Sequence, residues 1–299
     1  MSKVTIGNLL KVIDVTNTLG EGVQWHALSR CIWWTDIEGS SLYCYCTKTN
    51  QLTRFQMPDR VGCFAFIKND KRLIVAFANG LAFYDFESEA IEWLDKPEQH
   101  IPGNRFNDGR VDRQGRFWPG SMVETQSASN QLAHLYMVNK ELKCQPKISD
   151  IEISNGLCWS PDGTKLYHAD SPKQQLFQYD FNVDTGEISN KRLFVTTAEN
   201  SYPDGSTVDA QGFIWNAQWG GSRVVRYNTD GQVDIELSLP VSQPSCVAIG
   251  GPNLDWLIIT SARQDLSAEQ LLTEPQAGNV FIYQLDGVQG LEENQYVLP

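Results

Sequence analysis

Apolar and polar positions alternate with period two along most of the chain. The alternation runs through 30–37, 41–46, 51–57, 72–77, 81–86 and 91–94. Turn residues separate these runs, among them Glu38-Gly39-Ser40, Asn69-Asp70 and Asn79-Gly80. Period-two patterning punctuated by Gly, Asn and Asp predicts short strands joined by tight turns. Residues 4–16 read as an extended segment leading into the first of these units. One stretch departs from the pattern: over 265–272, Ser267 and Gln270 form a capping box ahead of Leu271 and Leu272. It predicts a short surface helix inserted in the last unit. The stretch 124–131 is polar and poor in strand formers, and predicts a mobile loop between strands of the third unit.

The runs recur as a larger unit. Tyr202-Pro203-Asp204-Gly205 is followed by Val208-Asp209, Gln211-Gly212 and Trp215; Phe106-Asn107-Asp108-Gly109 is followed by Val111-Asp112, Gln114-Gly115 and Trp118. Superposed, Asn107 falls on Asp204. Ser154-Asn155-Gly156, with Gly163 on Gly212, puts Asn155 in the same place. Gly20-Glu21-Gly22, with Trp25 on Trp159, puts Glu21 there. Weaker copies, resting on turn position and apolar pattern, bring Gly62 and Ser245 into register. The spacing is roughly 40–50 residues, with room for four strands per unit, which predicts an all-β, six-bladed β-propeller. A β-sandwich with coincidental spacing is the competing architecture. We expect one domain over 1–299, with the N-terminal segment closing the ring by pairing near 278–285.

Composition narrows the partners. A net charge of −12 without a Lys/Arg cluster argues against nucleic acid, which needs a basic footprint. No apolar stretch approaches the ~20 residues of a membrane span. No charged segment and long apolar run marks a signal peptide at the start. Seven scattered cysteines without a CxxC motif read as reduced thiols, so we expect a cytoplasmic protein, monomeric or weakly homo-oligomeric. The four histidines do not cluster in sequence, which disfavours a His-rich zinc site.

The repeats also place the chemistry. Equivalent positions at the start of each innermost strand encircle the channel of a propeller. Glu21, Asn107, Asn155 and Asp204 should therefore converge at one mouth, with Gly62 and Ser245 completing the ring. Two facing carboxylates repel unless a cation lies between them. Carboxylate and amide oxygens are hard ligands suited to Ca²⁺, Mg²⁺ or Mn²⁺. The alternative is that Asn107 and Asn155 only shape turns. Trp25, Trp118, Trp159 and Trp215 read as packing between blades, and Asp112 and Asp209 as turn residues. Arg105, beside the ring, either pairs with a surface acid or orients a substrate oxygen.

Five motifs in order carry a resemblance: Gly20-Glu21-Gly22-Val23-Gln24-Trp25, Arg105-Phe106-Asn107-Asp108-Gly109, Ser154-Asn155-Gly156-Leu157, Pro203-Asp204-Gly205 and Thr260-Ser261-Ala262-Arg263. The chain resembles the family of gluconolactonase, regucalcin (senescence marker protein) and luciferin-regenerating enzyme. The resemblance implies a six-bladed propeller that hydrolyses a sugar lactone, such as glucono-, arabinono- or xylonolactone, to the aldonic acid. It implies one divalent cation (Ca, Mg, Mn, Zn or Fe) held by Glu21, Asn155 and Asp204, which Asn107 reaches directly or through water. Arg105 and Asn107 would bind substrate, and Asp204 would be the general base. Val23 stands where the family often has Pro. The family's further substrate-contacting acid has Glu124 as its nearest counterpart. A calcium-dependent phosphotriesterase-like hydrolase and a non-catalytic metal-binding propeller are the rival readings.

Overall fold

The computed structural model describes residues 4–125 and 132–299. Six four-stranded antiparallel sheets are arranged as the blades of a β-propeller. Their innermost strands are Gly20–His26, Val61–Phe66, Asn104–Val111, Ser154–Trp159, Tyr202–Val208 and Pro244–Gly250, in blades 1 to 6. All six anchor positions read from the repeats lie on these strands. Within each blade, neighbours in sequence are neighbours in the sheet, except at the closure. There Thr5–Ile13 pairs antiparallel with Val280–Asp286, from Thr5 opposite Asp286 to Ile13 opposite Val280. Blade 6 is thus built from both ends of the chain, as the closure argument predicts.

The alternating pattern has a direct physical reading. Inner strands are packed on both faces, and Pro244–Gly250 is buried at every position. Outermost strands such as Gln51–Gln56 and Val233–Ser238 alternate between exposed and half-buried residues. The core is a set of layers between adjacent blades. Trp118 and Trp159 join blades 3 and 4 with ring centroids 5.7 Å apart, and Trp25 meets Trp256 between blades 1 and 6 at 6.2 Å. Asp112 and Asp209 serve their hairpins alike. Each accepts from the backbone N–H groups of its turn and from an indole, Trp118 at 2.9 Å and Trp215 at 3.0 Å. The helix spans Ala268–Thr273 in blade 6, capped by Ser267 with the reciprocal Gln270 bond. The loop expected over 124–131 is described only for Glu124 and Thr125; 126–131 lie outside the described residues.

One feature of the inner strands positions the site. In every blade the pairing of the first two strands slips by one residue close to the anchor position: between Glu21 and Gln24, Val61 and Cys63, Phe106 and Gly109, Asn155 and Cys158, Pro203 and Ser206, and Pro244 and Val247. An extra residue in one strand bends it and re-aims a side chain. Six repeats of this bulge set six equivalent positions at one end of the channel, and in blades 1, 3, 4 and 5 their side chains line the cavity there.

Candidate active site

At that end lies a cavity of about 330 Å³. Glu21, Asn107, Asn155, Asp204 and Arg105 line it, and Leu19, Ile153 and Trp219 are among its apolar wall. The four oxygen-bearing anchors are therefore brought together from blades 1, 3, 4 and 5, each more than nine-tenths buried. The two remaining anchors serve packing. A Cβ on Gly62 would stand 2.6 Å from the Phe106 carbonyl carbon and oxygen, so blade 3 can approach only because position 62 lacks a side chain. Ser245 turns away from the mouth: its hydroxyl donates to the Gly20 carbonyl and lies 3.0 Å from Thr260 Oγ1.

The carboxyls of Glu21 and Asp204 line the same cavity. Burial first, and then the Asp108 charge, push the Glu21 carboxyl up to about 8. Burial and the Glu21 charge raise Asp204 well above the usual carboxylate range. Gly22 N–H donates to Glu21 Oε2 at 3.0 Å, whereas Asp204 Oδ1 is buried without a hydrogen-bond partner. Two acids in this state lack compensation for their lost hydration, and a cation between them would supply it.

The amides are held by a continuous chain of hydrogen bonds. Arg105 Nη1 donates to Asn107 Oδ1 at 2.8 Å and to the Phe106 carbonyl at 3.0 Å. Asn107 Nδ2 donates to Asn155 Oδ1 and to the Ser154 carbonyl, both at 3.1 Å. Asn155 Nδ2 donates to Ser171 Oγ at 2.8 Å, and Ser171 donates to the Pro203 carbonyl at 2.8 Å. The Asn155 amide is thereby fixed, and its Oδ1 keeps a second lone pair. Among the described residues no three His, Cys, Asp or Glu side chains cluster as metal ligands, and beside Glu21 and Asp204 the remaining side-chain oxygens of the cavity include those of amides.

Arg105 takes one of the two roles that the sequence left open, pairing with an acid at the surface. It faces the cavity, and its Nε donates to Glu124 Oε1 at 3.0 Å. Arg60 grips the same carboxylate, Nη1 to Oε1 at 2.5 Å and Nη2 to Oε2 at 2.9 Å, and also pairs with Glu38 at 3.1 Å. Glu124 is thus brought beside Arg105, half-exposed, with its carboxyl held below the usual range mainly by Arg60. Sequence reasoning did not find Ser171, Arg60 or Glu38. Ser171 sits in a 3-10 turn after the second strand of blade 4, outside the repeated motif, and Arg60 and Glu38 lie in connections with no repeat partner. A larger hollow of about 600 Å³ opens at the other end, against the C-terminal residues, without paired buried acids.

Comparison with known proteins identifies the family and the fold. The family described as "SMP-30/Gluconolactonase/LRE-like region" matches residues 19–263. L-arabinolactonase of Azospirillum brasilense is 39% identical over 280 residues, 93% of this chain and 92% of that protein. 6-Deoxy-6-sulfogluconolactonase of Pseudomonas putida is 35% identical over 272 residues, 90% of this chain and 92% of that one. A crystal structure of a calcium-binding protein, regucalcin, from Agrobacterium tumefaciens superposes with a TM-score of 0.89 at 31% identity, covering 97% of both chains.

Proposed function

Because the chain belongs to the SMP-30/gluconolactonase/LRE-like family, we infer that it hydrolyses a sugar lactone to the aldonic acid in the cavity between Glu21 and Asp204, with a divalent cation as cofactor. The observation that carries this reading is the pair of buried carboxylates with Asp204 Oδ1 unpartnered, facing an amide oxygen and an arginine. The residues present fit a cation. Glu21, Asn155 and Asp204 would hold it, and an all-oxygen donor set favours Ca²⁺, Mg²⁺ or Mn²⁺ over Zn²⁺ or Fe²⁺. When bound, such an ion neutralises the acids and polarises a carbonyl oxygen.

The chain's own groups account for the rest. Asp204, ionised, takes a proton from the water that attacks the lactone carbonyl carbon. As the ring C–O bond breaks, the same carboxyl returns that proton to the departing ring oxygen. Arg105, fixed by Asn107 and Glu124, offers N–H donors to substrate oxygens, and Glu124 accepts from sugar hydroxyls. A cavity near the lower end of the ~300–1,000 Å³ range of small-molecule sites suits a monosaccharide-sized lactone. Relatives named for arabinose- and gluconate-type lactones support a pentono- or hexonolactone.

The test is hydrolysis of arabinono-, xylono- and gluconolactones after chelation and after re-addition of Ca²⁺, Mg²⁺, Mn²⁺, Zn²⁺ or Fe²⁺. Turnover should vanish with chelation and return with a divalent ion. Binding of the ion without turnover of any lactone would overturn the enzymatic part. Full turnover in a verified metal-free protein would overturn the cofactor part.

A further inference from the structure

A second reactive feature lies in blade 1, at the opposite end of its strands from Glu21. The strands Cys31–Asp36 and Ser41–Cys46 pair with Cys31 directly opposite Cys46. The next rung outward is a hydrogen-bonded one, because Thr47 N–H donates to the Arg30 carbonyl at 3.1 Å. In an antiparallel ladder the two kinds of rung alternate, so Cys31 and Cys46 form a non-hydrogen-bonded pair. Such pairs have Cα atoms about 4.5 Å apart and the closest side chains. That separation falls within the roughly 4.4–6.8 Å that a disulfide spans. Both thiols are free. Cys31 is buried and donates to the Ser29 carbonyl at 3.4 Å, and Cys46 is partly exposed.

We propose that Cys46 and Cys31 are a hydroperoxide-reactive thiol pair, in which Cys46 is oxidised first and Cys31 resolves it to a cross-strand disulfide. The turn that follows Cys46 prepares it for this. Hydrogen bonding from the Thr49 hydroxyl, then from the Thr49 and Lys48 backbone N–H groups, lowers its pKa to about 7. An accessible thiol that is substantially thiolate near neutral pH, with a second thiol opposite, has the attributes of a redox-responsive cysteine. Cys44 supplies the contrast. It shares the sheet face but stands opposite Trp33, and burial raises its thiol far above the ordinary value. It is two residues from Cys46 on one strand, too far to bridge to it.

The chemistry balances. The Cys46 thiolate attacks one peroxide oxygen and the O–O bond breaks. The other oxygen leaves as hydroxide, or as alkoxide from an alkyl hydroperoxide, and is protonated to water or to the alcohol. Cys46 becomes a sulfenic acid, oxidised by two electrons as the peroxide is reduced. The Cys31 sulfur then attacks the Cys46 sulfur, the S–O bond breaks, and hydroxide leaves to take up the Cys31 proton as water. The pair lies about five residues along the ladder from Glu21, roughly 17 Å at strand rise. Its variants therefore leave the substrate cavity intact.

The experiment treats the full-length protein with near-stoichiometric hydrogen peroxide, followed by alkylation, intact mass and peptide mapping. Two thiols of the seven should be lost together, with a loss of two mass units and a Cys31–Cys46 cross-link. Cys31→Ser should leave Cys46 trappable as a sulfenic acid by a cyclic 1,3-diketone. Cys46→Ser should abolish the cross-link, and Cys44→Ser should change nothing. Unmodified Cys46 in the native protein, or a cross-link that uses Cys44, would overturn the proposal without recourse to any variant.

Discussion

In the proposed mechanism Asp204 does two things, ligating the cation and accepting a proton, and a single substitution separates them in part. Asp204→Asn keeps an oxygen for the cation while removing the base. With the cation at saturation, kcat should fall by roughly 10²–10⁴-fold, the usual worth of a positioned general base. Asn155→Asp restores ligand charge at an equivalent anchor without a base at 204, so as a second change it should recover affinity and not rate. A near-normal kcat for saturated Asp204→Asn would reduce Asp204 to a ligand and move the base to Glu21. Ser171 tests the support behind the ligands. Its hydroxyl is the acceptor that fixes Asn155 Nδ2 at 2.8 Å. Loss of such an outer partner typically weakens metal binding by about 10–100-fold. Ser171→Ala should therefore weaken cation affinity by that order in a calorimetric titration, with kcat at saturation little changed. Equal affinity in the two proteins would mean that the Asn107 bond alone orients the amide.

The bulged inner strand is the element that converts sequence repetition into a site, and it explains what was legible. Glu21, Asn107, Asn155 and Asp204 could be read because each occupies the same step of a repeated strand-turn-strand unit, so alignment of the repeats amounts to superposition of blades. Arg105 followed from its place beside that step, and Glu124 only from what the family resemblance implies. Ser171, Arg60 and Glu38 could not be read, because they reach the site from connections that no repeat rule constrains. Ser245 shares the step but not the role: blade 6 must seat against blade 1, and its hydroxyl is spent on the Gly20 carbonyl. Gly62 likewise gives its place to packing. Gly62→Ala puts a methyl 2.6 Å from backbone atoms of Phe106 and 2.9 Å from Asn107 N, none of which is a flexible side-chain end. Overpacking of this kind costs about 1–3 kcal/mol. The variant should melt several degrees lower, and because Asn107 is displaced, KM should rise as well. An unchanged melting temperature would show that blades 2 and 3 can part there without cost.

Across the whole ring, the buried acids couple stability to pH and, in the proposed reading, to the cation. In the folded protein without a cation, Glu21 titrates near 8, against about 4.5 ordinarily, and Asp204 is shifted the same way. Below the ordinary value both states hold the Glu21 proton, and its favourable contribution is fully present. Between the two values the folded state keeps a proton that the unfolded chain has released, so stability falls as pH rises and the contribution is gone above about 8. The size for this fully buried group is on the order of a few kcal/mol. A cation at the acids reverses the preference, because it replaces the proton and binds the assembled ring and not the unfolded chain. Scanning calorimetry from pH 5 to 9 should thus give a declining melting temperature in chelator and a much flatter one at saturating cation, with the gap widening toward alkaline pH. Glu21→Gln carries no ionisable group at that place. It should lessen the decline in chelator and shrink the gap together, because the Glu21 carboxylate contributes to both, leaving the smaller part that Asp204 supplies. A gap that stays constant across this pH range would place the cation elsewhere than on Glu21 and Asp204.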